Sequence, residues 1–75
     1  MATVNGKKRA VNDLEYDLLT VLQSKSEALK AYDIYIEDAE EANAQSCVEL
    51  FQKLQQQEIE QAQEIRRHLQ QVMSK

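Results

Sequence analysis

Residues 11–42 read VNDLEYDLLTVLQSKSEALKAYDIYIEDAEEA, a stretch with no proline and no glycine. Within it Val11, Leu14, Leu18, Val21, Ala28, Tyr32, Tyr35 and Ala39 recur at three- and four-residue intervals, and the single gap in the stripe falls at Lys25. That spacing matches the 3.6-residue turn and predicts one long amphipathic helix rather than strands. Leu22, Leu29 and Ile36 make a second row beside the first, seven residues apart. Two rows form a face wider than a two-stranded coiled coil needs. Such a face suits the interior of a bundle in which each helix touches two neighbours.

Working outward, Asn12 with Glu15 three residues later has the form of a capping box, and Asp13 and Glu15 favour the positive end of the helix dipole. A first helix is expected over about residues 12–41. Asn43 tolerates the left-handed conformation that follows a helix end, and Ser46 with Glu49 resembles a second capping box. Beyond the break, Cys47, Phe51, Leu54, Ile65 and Val72 form another stripe, widened by Val48, Leu50, Ala62 and Leu69. The same register runs through Glu58, Gln61 and His68, so a second helix is expected over about residues 45–73. Residues 1–10 hold the only glycine, Gly6, show no periodicity, and read as a disordered basic tail ahead of a helical domain over residues 11–75.

The chain has 75 residues, room for one domain with a modest core. Cys47 is the only cysteine, so no disulfide within the chain braces it, and it reads as a small core hydrophobe beside Phe51. No apolar run reaches the roughly 20 residues of a membrane span and no signal peptide is evident, so a cytoplasmic location is expected. The net charge is -4, and Lys7, Lys8 and Arg9 supply three of nine basic residues. The remaining body is strongly acidic, which argues against a nucleic-acid partner. The cluster Glu37, Asp38, Glu40 and Glu41 and the run Gln55, Gln56 and Gln57 read as solvated surface.

Two helices of about 28 to 30 residues leaning only on each other would leave half of each stripe wet, while the ordering cost of roughly 1.5 kcal/mol per residue must be met. A symmetric dimer of hairpins, an antiparallel four-helix bundle, resolves this. Its expected core is Leu18, Leu22, Leu29, Tyr32, Phe51, Leu54 and Ile65. Folding the chain about residue 42 brings position 25 level with residues 58 to 61, and position 15 near 68. Lys25, Glu58 and Gln61 are therefore expected to share one buried polar layer, tolerable only if the charges pair and their remaining valences are satisfied.

The stretch Leu50-Phe51-Gln52-Lys53-Leu54-Gln55-Gln56-Gln57-Glu58-Ile59-Glu60-Gln61-Ala62 resembles the second helix of the ferritin-like, rubrerythrin-type hairpin, in which Phe and Leu precede a Glu-x-x-His metal motif followed by Ala. Tyr32, Tyr35 and Ala39 after a Leu-rich start are similar to that family's first helix, and the likeness covers about residues 12–70. The resemblance implies a ferritin-like four-helix bundle and a di-iron site. Its first-helix Glu falls on Lys25, its second-helix Glu on Glu58 and its His on Gln61. One of three ligands survives, since an ammonium offers no lone pair and a carboxamide is a weak iron ligand. The expectation is a non-catalytic structural or interaction homodimer without a cofactor, facing an unidentified protein partner, in which Lys25 does the electrostatic work of the family's metal. A second reading is an iron or zinc protein with altered ligands, drawn from Glu58, Glu64, His68 or symmetry mates.

Overall fold

The computed structural model describes residues 12–74, so the expected basic tail lies outside the described residues. The chain is an all-α hairpin: α1 runs over Asp13–Glu41 and α2 over Gln45–Met73, with no strand among the described residues. At 29 residues each, the helices span roughly 44 Å.

The N-terminus of α1 is closed as its sequence requires. Asn12 has an extended backbone, and its Oδ1 accepts a hydrogen bond from the Glu15 N–H at 2.7 Å. This satisfies one of the orphan donors of the first turn. Asn12→Ala is expected to lower stability by about 1 kcal/mol, read as a shifted denaturant midpoint at unchanged m. An unchanged midpoint would mean that the first turn frays in the native protein.

The turn is three residues long. Asn43 adopts φ 55°, the Ala44 N–H donates to Ala39 O at 2.9 Å, and the Asn43 N–H donates to Glu40 O at 3.0 Å. These two bonds are the pair that defines a Schellman closure, with Asn43 in the left-handed position. The second helix departs from expectation here. Its N-cap is Ala44, with no side-chain hydrogen bond, and Ser46 and Glu49 lie inside the helix. The closure hands the chain to α2 at Ala44, two residues before Ser46, so the Ser46 hydroxyl comes too late to cap.

Packing separates the two rows that flank the Leu18, Lys25, Tyr32 and Ala39 line of α1. The row of Leu22, Leu29 and Ile36 is half-buried, whereas Leu14, Val21 and Tyr35 on the other side are 56%, 44% and 44% exposed. On α2 the inner seam of Val48, Phe51, Glu58, Ala62, Ile65, Leu69 and Val72 is buried or half-buried, while Cys47, Gln61 and His68 of the neighbouring row are exposed. One helix neighbour covers one row and leaves the other open. Only Ala39, Val48 and Leu69 are buried among the described residues. Two of them flank the turn, where the helices must approach closely.

Candidate functional site

Midway along the hairpin α1 contributes Lys25 and α2 contributes Glu58 and Gln61. The two α2 residues are three apart on one side of the helix, and the register set by Asn43 brings them level with position 25. Lys25 Nζ donates to Gln61 Oε1 at 2.7 Å and lies 3.4 Å from Glu58 Oε1. The latter contact is an ion pair without hydrogen-bond geometry, so Glu58 Oε1, itself shielded from solvent, receives no hydrogen bond. The ammonium thus compensates the carboxylate by charge while its directed bond goes to the carboxamide.

The three residues meet, but a single hairpin does not bury them. The Lys25 and Glu58 side chains remain 28% and 21% exposed, and Gln61 is exposed. The cause is the open row beside them. Leu18, Leu22, Leu29, Tyr32, Phe51, Leu54 and Ile65 are likewise all half-buried rather than buried within one chain. Cys47 departs from the core position expected for it and is exposed.

Glu58 points at Lys25, whereas Glu64 and His68 are exposed, and no group of three or more His, Cys, Asp or Glu gathers as a metal-binding cluster among the described residues. Position 64 is six residues from 58, about a third of a turn away from it around the helix and nearly two turns along it. The layer itself consists of a paired charge and a carboxamide.

Two further contacts escape a reading by apolar spacing. Tyr32, Tyr35 and Phe51 form an aromatic cluster, with ring centroids 5.6 Å apart for Tyr32–Tyr35, 5.7 Å for Tyr35–Phe51 and 6.5 Å for Tyr32–Phe51. Such pairs contribute about 0.5–1.5 kcal/mol beyond area burial. Gln55 Nε2 donates to Asp33 Oδ1 at 3.0 Å across the opposite side of the hairpin. The signal for it was the same arithmetic that joined Lys25 to Gln61.

Neither a family model, nor a curated protein, nor a solved structure matches this chain. Among the described residues no helix is long and apolar enough to cross a membrane.

Proposed function

We propose that the protein is a non-catalytic helical-hairpin module that works as a homodimer in the cytoplasm, kin to the ferritin-like hairpin, with a structural or protein-interaction role. One observation carries the reading: Leu14, Val21 and Tyr35 stay exposed along one side of a hairpin that buries only three of its described residues. A chain this short needs a staple, and a second hairpin laid on the open rows is the one that requires no metal or disulfide. Lys25 supports the non-catalytic part, since it brings a fixed positive charge to Glu58 where the related family holds a cation.

Association and folding are then linked, so the melting temperature should rise with protein concentration. Light scattering that finds a stably folded monomer at micromolar concentration overturns the homodimer. For the non-catalytic part, protein purified without chelator should carry iron and zinc far below one ion per chain. Near-stoichiometric metal in the folded protein would overturn that half of the reading.

A further inference from the structure

The polar layer of Lys25, Glu58 and Gln61 lies at mid-length of the hairpin. Since α1 runs from residue 13 to 41 and α2 from 45 to 73, the helix midpoints are residues 27 and 59, and each member of the layer is within two residues of one of them. We infer that this layer makes the open side selective: it admits a second copy of this chain, whose own layer arrives at the same height, and rejects a partner that is apolar there. Lys25 and Gln61 are then the residues that determine the specificity of assembly. This rests on the homodimer reading above.

Two groups of the layer reach the open side. Lys25 donates to Gln61 at 2.7 Å and Tyr35 packs on Phe51 along one side of the seam, whereas Gln55 and Asp33 join the helices across the other. Gln61 therefore edges the same side as the exposed Leu14, Val21 and Tyr35. Its Oε1 accepts from Lys25, its amide nitrogen donates to no described residue, and Lys25 directs only one of three N–H donors to it. In a single hairpin these donors are open to water, because Gln61 is exposed and the Lys25 side chain is 28% exposed. Covering them removes the water. An apolar surface returns nothing for it, and a buried donor without an acceptor is costly. A second copy at the same height brings its own carboxamide oxygen and carboxylate as acceptors.

The mid-length position frees this match from the question of which helix of the copy each helix meets. Whether the second hairpin is turned end for end or keeps its turn at the same end, its layer returns to within about one helical turn of the first. A slide of seven residues, about 10 Å, breaks the match. It sets Lys25 and Gln61 level with Val21 in one direction, or with Tyr35 and Leu54 in the other. The open row of α1 also makes room for the copy's polar groups, since Ala28 is its one small residue and stands at the height of the layer. The side itself is large enough, with a hairpin 54 Å long and 21 Å wide against the ~800 Å² per partner of a standard interface. A polar layer of this kind trades stability for selection, as a single polar residue does in the seam of a coiled coil.

A mixing experiment reads the selection directly. Combining Lys25→Met, Glu58→Leu and Gln61→Leu makes the layer apolar and alters the mass of the chain. Equal amounts of the wild-type chain and this triple variant are unfolded together, refolded, and their dimers counted by native mass spectrometry. Random pairing makes about half of the dimers mixed, whereas selection by the layer holds the mixed species below about one tenth. Mixed dimers at about half overturn the inference and leave the homodimer standing. Gln61→Leu alone, a change at an exposed residue, gives a second measurement that does not depend on the triple variant folding. Mixed with the wild-type chain it should leave the mixed species below about one third, and a value of about half again overturns the inference. A wild-type chain that is monomeric on its own overturns both this inference and the homodimer.

Discussion

Leu29→Asp should dissociate and unfold the protein in one step. Leu29 lies in the row that α2 covers and is half-buried there, with Leu22 and Ile36 one turn-pair away on either side. Truncating a core leucine typically costs about 2–5 kcal/mol, and a carboxylate placed in its stead adds the cost of burying an unpaired charge. A folded domain of this size holds only about 4–11 kcal/mol in total. With only three buried residues among those described, the hairpin has little reserve from which to absorb the loss. Helical circular dichroism and scattering mass should therefore fall together, at room temperature and micromolar concentration. Retention of full helicity with an unshifted melting curve would mean that the row containing Leu29 does not face α2 in solution.

The second large effect is expected at the polar layer. Lys25→Met leaves Glu58 with no cation, and Glu58→Leu leaves Lys25 with only the Gln61 carboxamide. In the assembled protein, where a second hairpin covers the layer, each single change should cost about 3 to 5 kcal/mol. The double substitution should recover much of that loss, because matched apolar groups often replace a buried pair at no net cost. The size of the effect reports the burial. In an uncovered hairpin the pair is as exposed as the structure has it, and each change would cost closer to 1 kcal/mol or less. Single losses both under about 0.5 kcal/mol would make these surface groups and remove the layer from any account of assembly.

Much of the fold was legible because it follows from local rules. The cap at Asn12, the left-handed residue at Asn43 and the all-helical hairpin each rest on residue type and spacing. So does the level at which Lys25 meets Glu58 and Gln61, since a three-residue turn leaves little freedom in the pairing of two straight helices. What was not legible depends on tertiary hand. The sequence offers α1 two flanking rows of comparable apolarity, and nothing in either row states which one α2 will take. The structure gives Leu22, Leu29 and Ile36 to α2 and leaves Leu14, Val21 and Tyr35 open. Cys47, which a stripe count places in the core, is exposed. Ser46 and Glu49 failed as a cap signal for a different reason: the Schellman closure had already begun α2 at Ala44. The aromatic cluster was hidden because the separate spacing of Tyr32, Tyr35 and Phe51 within each helix says nothing about ring geometry between helices.

The closure at Asn43 also orders events in time. Joining Ala39 to Val48 closes a loop of a few residues, whereas joining Leu14 to Val72 closes nearly the whole chain, and the entropy of closure grows with the logarithm of loop length. Each contact made near the turn shortens the effective loop for the next one along the axis. Chain collapse is therefore expected to run as a zipper from Asn43 toward the termini, with the fast kinetics that local contacts bring. Two of the three buried side chains among the described residues, Ala39 and Val48, sit where that zipper starts. On this account the earliest contacts of the hairpin form once the first turns of α2 are present, before the second copy is needed.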